Sequence, residues 1–254
     1  MTAPFIMVAP NGARRMKTDH PELPITMQET VETAISCQNA GADALHLHIR
    51  DQQGQHSLDA GSYREALTEL TRQVPNLRIQ ITTEAMGQFS VEDQFECLKN
   101  VQPEWASISI REIARSPDLA GKIYAACADQ NTEVQHILYD TADVALFNNW
   151  RADDTIKTHQ TSAIFVLGRY AQNQISRASD LKPFLDAMPT RTDWMVCAFG
   201  PYEHDCLATA WASGGACRVG FENSLTQSDG RLWDDNAATV RALRQRLTLD
   251  NKAI

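Results

Sequence analysis

The sequence predicts an α/β protein: a single (β/α)8 TIM barrel domain spanning residues 1–254. Three observations predict it. Eight short β-like runs alternate with amphipathic helical segments from one end of the chain to the other. A length of 254 residues is the usual size of one such barrel. No Gly-x-Gly-x-x-Gly turn follows the first run, as it would in the rival architecture, an open doubly wound sheet.

The runs are "FIMVAPN" (5–11), "ALHLHIR" (44–50), "RIQITTE" (78–84), "WASISIR" (105–111), "VQHILYD" (134–140), "AIFVLGR" (163–169), "DWMVCAFG" (193–200) and "CRVGFEN" (217–223). Helical segments fill the gaps. Thr26 is placed to N-cap the first of them, with Glu29 at the capping-box position and Gly41 as its stop. Ser90 and Asp93 repeat that start before "VEDQFECLKN", and a last helix begins at Asp235. The polar stretch 141–162 reads as the place for a small insertion.

Bulk properties exclude several classes. The chain is 43% hydrophobic with a mean hydropathy of −0.36, and no apolar stretch reaches the roughly 20 residues that span a bilayer. The start "MTAPFIMVAPNGARRMK" lacks a charged leader and a long apolar segment, so no signal peptide is expected. Cys37, Cys97, Cys127, Cys197, Cys206 and Cys217 show no paired spacing and read as reduced thiols in a cytoplasmic protein. A formal net charge of −9 and a pI near 5.2 argue against nucleic acid as a partner.

Alternate residues of a strand share a face. His46, His48 and Arg50 therefore oppose Leu45, Leu47 and Ile49. Gln80, Thr82 and Glu84 oppose Ile79 and Ile81; Ser107, Ser109 and Arg111 oppose Ile108 and Ile110. In the last run Arg218, Gly220 and Glu222 oppose Val219 and Phe221. The aliphatic face suits packing under helices, and the polar face is costly to bury unless it forms a site. Two neutral imidazoles and one carboxylate with an open position make a catalytic zinc pattern. Strand eight closes beside strand one, so Glu222 is the natural third ligand after His46 and His48. His20, His56, His159 and His204 read as ordinary loop or helix residues, and His136 as a satisfied core residue. Arg218 has two open readings: a salt bridge to Glu84 or Glu222, or a clamp on negative charge. Arg14 and Arg15, after the first run, read either as a solvated turn or as readers of an acidic group. Cys197 and Cys217 read as small core residues.

Together "GADALHLHIRD", "LPIT" after "APNGARRMKTDHP", "QITTE", "PEWASIS" and "RVGFEN" resemble the β-keto acid cleavage enzymes, which include 3-keto-5-aminohexanoate cleavage enzyme. The resemblance implies a zinc-dependent barrel and a homo-oligomer, a dimer or tetramer. It also implies an acyl-CoA-forming transferase that condenses a β-keto acid with acetyl-CoA and releases acetoacetate. By position it makes His46, His48 and Glu222 the metal ligands, Arg218 the catalytic arginine, and Thr82 and Ser107 the hydroxyl residues. Asn223 stands where the family commonly has a proton-abstracting aspartate, so Glu84 is the alternative base. Ala216 stands where a histidine often precedes "RVG", and Gln135 or His136 where an inward glutamate lies near strand five. Arg14 replaces the glutamate that reads an amino group, which implies a substrate with an anionic or neutral distal end. Asn11 and Ser109 join Arg14 as expected substrate contacts, and Arg111, Lys157 and Arg169 are candidates for the phosphates of coenzyme A. Two other readings stand beside this one: a zinc-dependent barrel hydrolase, and a non-catalytic barrel that holds a metal and binds a metabolite.

Overall fold

A computed structural model describes residues 3–188 and 192–250. Eight parallel strands form its centre: β1 (Ile6–Val8), β2 (Ala44–Leu47), β3 (Arg78–Thr82), β4 (Trp105–Ser109), β5 (Glu133–Leu138), β6 (Ser162–Leu167), β7 (Trp194–Ala198) and β8 (Ala216–Val219). Each pairs with its sequence neighbours, and β1 pairs with both β2 and β8, so the sheet closes into a barrel. A helix follows each strand: α1 (Met27–Asn39), α2 (Ala60–Gln73), α3 (Val91–Val101), α4 (Pro117–Asp129), α5 (Thr141–Ala152), α6 (Lys182–Ala187), α7 (Glu203–Ala212) and α8 (Asn236–Asp250). The predicted (β/α)8 barrel is the fold.

The strand faces explain the closure. Ile6, Val8, Leu45, Leu47, Ile81, Ile108, Leu138, Phe165, Val196 and Val219 point outward and form one continuous core with the helices. The interior is layered. Met7, Ala44, Trp105, Ile164 and Met195 belong to a small inner apolar cluster. Above it lie polar side chains buried inside the ring, including His46, Gln80, Ser107, Gln135 and Arg218. Gln80 donates to Gln135 at 3.1 Å, so these amides satisfy one another.

The helix starts follow the sequence signals. Thr26 with Glu29 and Ser90 with Asp93 both form reciprocal capping boxes. Gly41, at φ 101°, donates to Gln38 O and ends α1. Residues 141–162 hold no insertion. Asp140 accepts from the N–H groups of Ala142 and Asp143 and starts α5 there, so the polar stretch is the solvated side of an ordinary barrel helix and its connection to β6.

The strands end earlier than the sequence runs. Arg50 lies in a two-residue pairing with His56–Ser57, outside the barrel, and Arg111 in a short helical turn, Ile110–Ile113. The last residues of each run therefore belong to the loops above the barrel mouth. All six cysteines are buried free thiols. No helix of the described residues is long and apolar enough to cross a membrane.

Candidate active site

The polar residues converge at the C-terminal ends of the strands, the end at which such barrels carry their chemistry. His46 comes from β2 and His48 follows its last residue. Glu222 comes from the turn after β8. Gly220, at φ 138°, makes that turn possible; a Cβ there would lie 2.5 Å from Ala9 O. Glu222 N then donates to Ala9 O at 3.0 Å, and Asn223 N to Gly220 O at 2.8 Å. The loops after β1 and β8 are thus laced together, and Glu222 hangs over the histidines.

Hydrogen bonds fix the ring tautomers. Gln80 uses its amide N–H on Gln135, so its oxygen faces His46 Nδ1 at 2.8 Å and must accept a proton from it. That leaves His46 Nε2 bare. His56 Nε2 lies 2.8 Å from the Glu84 carbonyl oxygen and therefore carries a proton, so its Nδ1 accepts from His48 Nδ1 at 3.5 Å. His48 Nε2 is then bare as well. The two bare nitrogens face each other at 3.2 Å. Burial first, and then the charge of Arg218, pushes His46 down to about 4, and burial pushes His48 well below its ordinary value, so both rings are neutral at neutral pH, each with a single proton.

Two lone pairs at that distance repel unless a cation lies between them. Glu222 Oε2 completes the set at 3.6 Å from each Nε2, and it is a buried oxygen without a hydrogen-bond donor. Burial alone would raise the Glu222 carboxyl, but Arg218 and its other cationic neighbours hold it below the usual range. A tetrahedral centre with bonds of about 2.0–2.1 Å has ligand–ligand edges of roughly 3.3–3.4 Å. Edges of 3.2, 3.6 and 3.6 Å fit a divalent metal ion, and the three are a set whose ligand atoms lie within 4.8 Å of one another.

Around this set lie the other charged groups. Arg218, fully buried, donates to Glu222 Oε1 and to Cys197 Sγ, each at 3.2 Å, and to Asn223 Oδ1 at 3.4 Å. Asn223 in turn donates to Glu203 Oε1 at 3.1 Å. Glu203, raised to about 8 by burial, also receives Gly220 N at 3.2 Å and so braces the turn that carries Glu222. Glu84 Oε2 stands 4.0 Å from His48 Nε2, and its Oε1 3.7 Å from Arg169. Burial, then the nearby Glu222, raises the Glu84 carboxyl to about 7. His46, Thr82, Glu84, Arg169, Arg218 and Glu222 line one pocket.

The remaining residues singled out in the sequence divide. Thr82 Oγ1 accepts from Glu84 N at 3.2 Å, and Ser107 Oγ donates to Ile81 O at 3.4 Å below it. Ser109 Oγ is buried without a partner. Asn11 donates to Pro24 O at 3.0 Å and to His48 O at 3.4 Å, tying the first loop to the segment that carries His48. Arg14 is exposed at the rim, whereas Arg15 turns inward. Arg50 does not enter the interior: it donates to the main-chain oxygens of Gly12, Arg15 and Gly54 and holds the loop. Gln135 is inward but lies in the amide layer beneath the mouth, and His136 faces outward between Tyr124 and Phe147. Arg111 is paired with Asp140 and Asp143, and Lys157 lies between α5 and β6, at the opposite end of the barrel. Sequence reasoning passed over His56 and Glu203. In the sequence His56 reads as an ordinary loop or helix residue; it lies instead in a two-residue strand, His56–Ser57, whose pairing with Ile49–Arg50 brings its ring centroid to 5.0 Å from that of His48.

A closed parallel barrel with a His–His–Glu cluster, a buried arginine and a poised carboxylate at its mouth defines a barrel enzyme. Residues 4–252 match the family described as beta-keto acid cleavage enzyme, and the chain belongs to that family. It is 26% identical over 247 residues to the 3-keto-5-aminohexanoate cleavage enzyme of Fusobacterium nucleatum, covering 93% of this chain and 88% of that one. It is 24% identical over 256 residues to the 3-oxoadipate:acetyl-CoA acetyltransferase of Cupriavidus necator (94% and 87%). With the 3,5-dioxohexanoate:acetyl-CoA acetone transferase of Paraburkholderia graminis it shares 23% over 275 residues (95% and 88%). Among solved structures, a binary complex of ObcA with oxaloacetate superposes with a TM-score of 0.68 at 16% identity, over 91% of this chain and 64% of that one. Type I 3-dehydroquinate dehydratase from Clostridium difficile gives 0.68 at 9% identity (100% and 94%). These two likenesses concern the fold alone.

Proposed function

We propose that the chain is a zinc-dependent transferase that converts a β-keto acid and acetyl-CoA into acetoacetate and a new acyl-CoA. The observation that carries the reading is the pair of bare Nε2 atoms facing the donorless Glu222 oxygen, in a chain of this family. His46, His48 and Glu222 would hold the zinc ion, which would act as a Lewis acid on the substrate's keto group. The other steps fall to the protein. Glu84 takes a proton from the carbon between the keto group and the carboxylate, since Asn223 offers no basic atom. A carboxyl held at about 7 suits that task. Arg218 balances the negative charge that develops, with Asn223 and Cys197 fixing its guanidinium. Thr82 lines the pocket, Ser107 and Ser109 follow on the neighbouring strand β4, and Asn11 and Arg14 belong to the loop after β1.

The bonds balance without a further reactant. The deprotonated carbon attacks the acetyl thioester and expels the thiolate of coenzyme A. The thiolate then adds to the original keto carbon, the bond between that carbon and the former nucleophile breaks, and the released carbon takes back the proton held by Glu84 to give acetoacetate. The test uses acetyl-CoA labelled in its acetyl group. Label is expected in acetoacetate and not in the new thioester. His46→Ala should lose both bound metal and turnover; Glu84→Gln should keep the metal and lose enzyme-dependent deuterium exchange at the acidic carbon. A fully active, metal-free His46→Ala variant would refute the reading, and β-keto acid breakdown without an acyl-CoA product would favour a hydrolase.

A further inference from the structure

Two guanidinium groups at the mouth lack the anion they are built for. Arg15 is turned into the protein; its NH1 is buried with no acceptor, and its NH2 makes one long bond, 3.4 Å, to Asn223 O. That contact lies one residue past Glu222. Arg169, just beyond β6, lines the same pocket as His46, Glu84 and Arg218. Its carboxylate neighbour Glu84 stands at 3.7 Å, outside hydrogen-bond range, and its guanidinium lies over the Phe199 ring, 5.0 Å from the centroid. Both arginines flank Glu222: Arg15 donates to the main chain of the residue after it, and Arg169 lines the pocket that Glu222 lines. Guanidinium donors left unfilled beside a buried site are costly unless a ligand completes them.

Charge decides which ligand. Arg218 is matched by Glu222 at 3.2 Å, and Arg169 has only Glu84, at 3.7 Å. Arg15 faces Glu203, which burial raises to about 8, and Asp19, whose carboxylate already accepts from Met16 N at 2.7 Å. A divalent ion on the histidines adds further positive charge. A β-keto acid with one carboxylate meets only the reacting end of that field, and one bearing an ammonium group would be repelled by it. We propose that Arg15 and Arg169 form a carboxylate subsite that selects β-keto dicarboxylates, binding the carboxylate remote from the reacting carbon. This rests on the reading of the pocket as the β-keto acid site. Coenzyme A also carries anions, but its phosphates lie at the far end of the pantetheine arm from the thioester that must enter here.

The test is calorimetric binding to the protein as purified, without acetyl-CoA, of two probes of equal carbon count. The probes are 3-oxoadipate and 3-oxohexanoate, which differ only in a distal carboxylate against a methyl group. 3-Oxoadipate is expected to bind on the order of tenfold to a hundredfold more tightly, as a charge-assisted contact implies. In Arg15→Gln and in Arg169→Gln that ratio should fall towards one. Equal affinities in the parent protein would overturn the subsite. So would variants that weaken both probes alike, which would put the pair on the reacting carboxylate. Loss of affinity for acetyl-CoA with the ratio intact would assign the arginines to phosphate and overturn it too. Acetyl transfer plays no part in these measurements, so failure of the labelled-acetyl experiment and failure of the subsite are read separately.

Discussion

Glu222 owes its position to a missing side chain. Gly12 sits at φ 63°, and a Cβ there would lie 2.6 Å from Glu222 Cγ. Any larger residue would push the carboxylate off the histidine pair. Gly12→Ala is therefore expected to leave a folded barrel while weakening metal affinity on the order of tenfold to a hundredfold, the usual cost of disturbing a ligand's support. Competition with a chromophoric chelator measures it; unchanged affinity would mean that Glu222 adapts or does not bind. His46, His48 and Glu222 were legible as a set because strand alternation and barrel closure bring them together from sequence alone. Gly12 was not, because its reason is a contact with a residue 210 positions away. His56 was invisible for the same kind of reason: only the folded pairing beside Ile49 shows that this histidine fixes the tautomer of His48.

At the level of elements, β5 shows what alternation does and does not decide. Gln135 enters the ring and His136 faces outward, into the layer under α4 and α5 beside the rings of Tyr124 and Phe147. Its Nδ1 donates to Ser162 O at 2.9 Å, and its Nε2 has no partner. Burial, helped by Arg151, holds this histidine down at about 4 against an ordinary 6.5. The unfolded chain therefore binds the proton first as pH falls, and the stability conferred by the neutral ring is present above 6.5 and lost towards 4. His136→Asn keeps a donor for Ser162 O but cannot titrate. Between pH 7 and pH 4 the parent protein should lose about 3 kcal/mol more than this variant in urea denaturation, by the linkage relation. Parallel losses would show that His136 is not the titrating group. The eight strands were legible because their outward faces are mostly apolar. Their ends were not, because Arg50, Glu84 and Arg111 keep the alternation going after the main chain has left the sheet. Residues 141–162 misled because a barrel helix with one wet side looks, by composition, like a loop.

Across the whole molecule, the two ends of the barrel do different work. The mouth holds the bare nitrogens, the orphaned carboxylate oxygen and the under-partnered arginines, in a chain whose formal net charge is −9. The other end holds closure. Asp43, just before β2, receives Ile6 N at 2.8 Å and returns its own N–H to Ile6 O at 2.8 Å, pinning β1 to β2. Arg244 of α8 pairs with the same carboxylate at 2.8 Å and donates to the oxygens of Gly41 and Pro4, so the last helix locks onto the first strand. Asp43→Ala removes both contacts. One main-chain donor and a partly exposed ion pair together amount to about 1–2 kcal/mol. The variant should therefore denature at a lower urea concentration with an unchanged slope, and its metal affinity should stay within about twofold of the parent, because the disturbed bonds lie a full strand length from Glu222. If metal affinity instead fell in step with stability, closure at the base and geometry at the mouth would be one cooperative unit, and the separation of the two ends would be wrong.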